Sequence, residues 1–92
     1  MDAIPIGTKG DIQPEQVRAG RALLDWSRDQ LAAASGVPKR TLLRFEGSET
    51  QARPATITAI RTALESAGVE FIAENGGGPG VRLKAAKTDP QV

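Results

Sequence analysis

The chain contains no cysteine, no histidine and no tyrosine. Without cysteine there is no disulfide framework and no thiol nucleophile; without histidine there is no imidazole base, and zinc-finger ligand sets are excluded with them. The carboxylates then have no partner for acid/base work, so hydrolase and transferase chemistry lacks a credible nucleophile or base. No catalysis, no cofactor and no metal site are expected. A cysteine-free chain fits a reducing compartment, and a cytoplasmic location is expected. Aromatic residues are scarce: Trp26, Phe45 and Phe71 are the whole set. No apolar run approaches the ~20 residues that span a bilayer. The opening MDAIPIGTKGD, with Asp2 and no apolar stretch, does not read as a signal peptide. An excess of one charge is also missing, with 12 Lys+Arg against 11 Asp+Glu and a formal charge of +1. That excludes a histone-like coat and an acidic tail, so any nucleic-acid surface must come from segregation of charge onto one face.

What remains is a chain of 92 residues, enough for one domain with a small core. Residues 1–13, with Pro5, Gly7 and Gly10, read as a flexible arm. Pro14 suits a first helical turn, where its missing N–H costs nothing. Val17, Ala22 and Leu24, with Arg18 and Arg21, predict a helix up to about Trp26. Ser27 and Gln30 have the spacing of a capping box opening a second helix, which Gly36 stops. A third helix begins around Pro38, shows one apolar face through Leu42 and Phe45, and ends at Gly47. Pro54 opens a fourth, in which Ile57, Ile60 and Leu64 share a stripe flanked by Ala63 and Ala67, until Gly68. Val69, Phe71 and Ala73 then alternate with Glu70 and Glu74, the Asn75–Gly80 run is a turn, and Val81 to Lys84 alternates again. These predict a β-hairpin over 69–84. Residues 85–92 (AAKTDPQV) have no pattern and are expected to be disordered.

Residues 28–47 concentrate the informative spacing. Small Ala32 lets two helix backbones approach, Gly36 supplies the positive φ of a tight turn, and Val37, Leu42 and Phe45 bury the inner face of the third helix. This is the pattern of a helix-turn-helix. The outer face of the third helix is then Lys39, Arg40, Leu43 and Arg44, with Thr41 alongside. Between residues 28 and 44 there are four cations (Arg28, Lys39, Arg40, Arg44) and one acid, Asp29; four minus one is +3, on a chain whose total is +1. Arginine and lysine donate to guanine O6 and N7 in a major groove, and Leu43 suits a thymine methyl or a sugar. Trp26 reads as a core or rim packing residue. The glycine-rich turn is not a phosphate loop, since Val81-Arg82 follows it in place of Gly-Lys-Ser/Thr and a helix start.

The segment SRDQLAAASGVPKRTLLRFEGS, preceded by RAGRALLDW and followed by ARPATITAIRTAL, resembles the Cro/C1-type helix-turn-helix family, also called the XRE family. The resemblance covers roughly residues 15–68, with Leu31, Ala32, Gly36, Val37, Leu42, Phe45, Glu46 and Gly47 in register. It implies a lambda-repressor-like bundle of four or five helices that binds DNA operators as a dimer. By position it implies that Lys39, Arg40, Thr41 and Arg44 meet bases and that Arg28 and Arg53 meet the backbone. It also implies that Arg21 and Glu46 form a buried ion pair tying the first helix to the third. Two departures stand out: Pro38 replaces the family's usual Ser or Thr cap, and the hairpin replaces its fifth helix.

The expected architecture is therefore mostly α, four helices (14–68) with a C-terminal hairpin. The expected function is a sequence-specific transcriptional regulator, a homodimeric repressor reading an operator palindrome in double-stranded DNA. Val69, Phe71, Ile72, Val81 and Leu83 are expected to be exposed and to form the dimer surface. A two-stranded hairpin is marginal alone, so it is expected to pack on the fourth helix or pair with its mate. The alternative is an antitoxin or anti-regulator that contacts a partner protein and binds DNA for autoregulation. A weaker one is a DNA-bending factor of a mobile element.

Overall fold

The computed structural model describes residues 12–47 and 52–84. Four helices, α1 (Pro14–Leu24), α2 (Arg28–Ser35), α3 (Lys39–Glu46) and α4 (Pro54–Ser66), are followed by strands β1 (Val69–Ile72) and β2 (Gly80–Leu83). The mostly α architecture with a C-terminal hairpin is as expected. The segments 1–11 and 85–92, expected as arm and disordered tail, lie outside the described residues. None of the described helices is long and apolar enough to cross a membrane.

Local chemistry accounts for the helix ends. The first helix starts from residues expected to belong to the arm. Ile12 is buried in the core, and the Gln13 N–H donates to the Gln16 side chain at 2.7 Å. Helix α1 stops at Leu24, two residues before the expected end, because Asp25 adopts a left-handed conformation (φ 60°). The expected box at α2 is formed in both directions: the Gln30 N–H donates to Ser27 Oγ (3.1 Å) and the Ser27 N–H to Gln30 Oε1 (2.8 Å). Gly36 ends α2 with φ 79°, which a side chain would strain. Ser35 supports the turn, its hydroxyl donating to the Leu31 carbonyl at 2.7 Å and accepting from the Val37 N–H at 3.1 Å. Pro38 is the N-cap of α3 and offers no side-chain cap.

The four helices and the hairpin share one core. Ile12, Val17, Leu31, Val37, Leu42, Phe45, Ile57, Ile60, Ala63, Leu64 and Val69 are buried, with Trp26 packed against them from the rim. The α4 stripe predicted from spacing supplies three of these residues, and the flanking Ala63 a fourth. Gly20 lies buried in α1 where it faces α4 and β1. A methyl at this position would sit 3.5 Å from Leu64 Cδ1 and 3.6 Å from Val69 Cγ1, ordinary contact distances. Gly20→Ala therefore fills space without a clash and lowers the entropy of the unfolded chain. We expect it to raise stability by about 0.5–1 kcal/mol in thermal or urea unfolding; a lower midpoint would show that α1 and α4 cannot yield even slightly.

The hairpin is antiparallel, with Val69 opposite Leu83 and Phe71 opposite Val81. Since neighbours along a strand point to opposite faces, these four share one face, and that face is turned inward. Val69 is fully buried, and Phe71 and Val81 pack on the core. This corrects the expected exposure of these residues. Val69 belongs to the chain's own core, and Phe71, Ile72, Val81 and Leu83 are half-buried where they were expected to be exposed. The reason is that the hairpin lies on α1 as well as on α4. Gln16 locks it there: its buried amide donates to the carbonyls of Gly80 (2.9 Å) and Ile72 (3.4 Å). Arg61 of α4 stacks its guanidinium 5.3 Å from the centre of the Phe71 ring. On the outer face the Arg82 guanidinium, bonded to Glu70 at 3.0 Å, holds that carboxyl below its ordinary pKa and is itself raised.

Candidate functional site

Helix α3 divides cleanly between inside and outside. Leu42, Phe45 and Glu46 are buried, while Lys39, Arg40, Leu43 and Arg44 are exposed and Thr41 is intermediate. The apolar side chains at i and i+3 anchor the helix; the cations on the far side are left facing solvent. Leu43 is 45% exposed, a large apolar side chain standing among cations. Among the described residues, Arg40 and Arg44 have no ion-pair or hydrogen-bond partner, and they lie one turn apart on the same side of the helix. Arg53 is the exposed N-cap residue of α4 and makes no side-chain cap bond.

The inner end of α3 is held by three arginines around Glu46, two on its carboxylate and one on its backbone carbonyl. Arg21 of α1 grips Glu46 bidentately, Nε to Oε2 at 2.9 Å and Nη2 to Oε1 at 2.8 Å. The Glu46 side chain is only 1% exposed. The ion pair between the first and third helices is therefore formed. Arg21 also donates to the Trp26 carbonyl at 3.0 Å, fastening the α1–α2 corner. Arg18 donates to the Glu46 backbone carbonyl. Arg28 of α2 adds a third helix, its Nε donating to Glu46 Oε1 at 3.0 Å.

Two of the four cations between residues 28 and 44 are thus not free. Arg28, expected as a backbone-contacting cation, belongs to the Glu46 cluster and is 36% exposed. Its charge is directed inward because a buried carboxylate needs all the donors it can reach. Lys39, expected at a base, pairs with Asp29 of α2, Nζ to Oδ1 at 3.2 Å. Among the described residues, the unpaired positive charge on α3 reduces to Arg40 and Arg44.

Sequence reasoning did not single out Arg18 in the cluster or Gln16 under the hairpin. A cation three residues before Arg21 was a usable signal for the first. Nothing in the sequence marked Gln16, whose partners are 56 and 64 residues away.

Chemically this is an exposed helix face, backed by buried side chains, presenting two fork-shaped donors and one apolar side chain. It suits contact with an extended anionic surface better than enclosure of a small molecule. Among the described residues, no three His, Cys, Asp or Glu side chains gather as they would to hold a metal ion. The chain matches no protein-family model and no curated protein.

Proposed function

We propose that the protein is a sequence-specific DNA-binding transcriptional regulator, a repressor of the helix-turn-helix class whose α3 enters the major groove. The observation that carries this reading is the pair Arg40 and Arg44, unpartnered among the described residues and one turn apart on the outer side of a helix whose inner side is buried. Guanidinium forks at that spacing match the O6 and N7 acceptors of guanines, and Leu43 beside them matches an apolar edge. Lys39 and Thr41 border the same readout surface. Arg53, exposed at the start of α4, is assigned to phosphate. The near-neutral total charge, +1 on the whole chain, supports specific over general attraction.

The proposal includes a homodimer. One head makes too few base contacts for tight specific binding, whereas two heads roughly 34 Å apart fit adjacent turns of a palindrome. With the apolar face of the hairpin turned inward, the outer strand edges and Ile72 are left for a second copy.

Selection of bound sites from a pool of random duplexes tests the reading. The expected product is an inverted repeat with half-sites about 10 base pairs apart, bound less tightly as salt rises. Recovery of unrelated sequences, with binding insensitive to salt, would overturn it.

A further inference from the structure

Deepening the DNA-binding reading, on which it rests, we propose that Asp29 is a specificity-determining residue. By holding the Lys39 ammonium it withholds that cation from DNA of the wrong sequence.

Asp29 is the only acid between residues 28 and 44. It lies in the first turn of α2, with its side chain 72% exposed and that of Lys39 53% exposed. An ion pair so open to water contributes little to folding. An acid in a first turn also complements the helix dipole, but that role needs no partner on another helix. The observed contact, 3.2 Å from Oδ1 to Nζ, instead joins the first turn of α2 to the first turn of α3, at the residue before Arg40.

The effect on binding depends on which complex forms. Association with arbitrary sequence is driven by cations that reach phosphates and release counterions. A lysine ammonium is a compact charge on a flexible stem, able to find a phosphate without any fit in the groove, whereas arginine gains most from an aligned fork. Held by Asp29, Lys39 brings no net charge to such an encounter, and the carboxylate repels any phosphate that approaches. On a matching sequence α3 seats in the groove. There the ammonium exchanges a carboxylate acceptor for a base acceptor at short range, and the carboxylate behind it fixes its direction. The acid therefore weakens wrong complexes more than the right one, which is how a repulsive element generates discrimination.

The test uses the full chain, a 20-base-pair duplex of random sequence and the duplex recovered by selection, followed by fluorescence anisotropy across a salt series. For Asp29→Asn, affinity for the random duplex is expected to rise about 5- to 10-fold near ~0.1 M salt, one counterion's worth, with a salt slope steeper by about 0.9. Affinity for the selected duplex is expected to change by less than about 3-fold, so the ratio of the two falls. Lys39→Ala in the wild-type background is expected to leave the random-duplex slope unchanged. In the Asp29→Asn background it removes the added slope, a coupling that a purely structural acid would not produce. If wild type binds with salt dependence but Asp29→Asn binds identically, or if Lys39→Ala alone lowers the slope by about 0.9, the inference falls and the DNA-binding reading stands. If wild type shows no salt-dependent binding to any duplex, the reading itself falls and takes the inference with it.

Discussion

Glu46→Ala is expected to lower the unfolding free energy by about 3–5 kcal/mol, the cost of breaking a buried ion pair from one side. For a domain this small that approaches the whole of its stability, which for native proteins begins near ~5 kcal/mol. The carboxylate is almost wholly inaccessible and accepts three guanidinium N–H donors, two from Arg21 and one from Arg28. Alanine removes every acceptor at once. Arg21, only 16% exposed, is left as a cation with little water and one remaining bond, to the Trp26 carbonyl. Arg28 loses less because it is 36% exposed and can turn to solvent; Arg28→Ala is expected to cost only about 1 kcal/mol. Urea unfolding followed by circular dichroism measures both. A joint change, Arg21→Met with Glu46→Leu, should recover much of the loss, because removing both charges abolishes the desolvation cost that one unpaired charge leaves behind. A Glu46→Ala midpoint equal to wild type would mean that the buried ion pair adds nothing net to the packing of α1 against α3.

The helices were legible because their signals are local. The Ser27/Gln30 reciprocity, the left-handed Gly36 and the Ile57–Ile60–Leu64 stripe each rest on residues a few positions apart, where periodicity and capping dictate geometry directly. The alternation in the hairpin was legible too, but not which of its faces would be covered. Period two says that Val69, Phe71, Val81 and Leu83 share a side; whether that side meets another subunit or the chain's own α1 depends on a docking fixed by Gln16, a polar residue with no pattern to announce it. The cations illustrate the same limit. Arg28, Lys39, Arg40 and Arg44 look equivalent in the sequence, and the outer side of α3 followed correctly from the positions of Leu42 and Phe45. Which of them keep their charge available was decided by two acids, Asp29 on α2 and Glu46 at the end of α3. Pairing between helices depends on how they cross and on side-chain reach, neither of which spacing along one helix encodes.

Arg40→Ala combined with Arg44→Ala is expected to abolish sequence discrimination while leaving the fold intact. Both side chains are exposed, so stability should stay within about 0.5 kcal/mol of wild type. Each bidentate base contact is worth about 1–3 kcal/mol of discrimination, roughly 5- to 150-fold per side chain. On the selected duplex the two losses compound toward the affinity for random DNA. The single variants separate the roles further, each relaxing preference at its own base position. Arg53→Ala differs in kind. As a phosphate contact it should weaken all duplexes alike and reduce the salt slope by about 1, with the order of preferred sequences preserved. Anisotropy titrations against the selected and random duplexes, each at several salt concentrations, resolve these patterns. Equal weakening of both duplexes by the Arg40/Arg44 double variant would convert those arginines from base readers to backbone contacts. Specificity would then have to come from Lys39 and Thr41, which border the same surface, or from DNA shape.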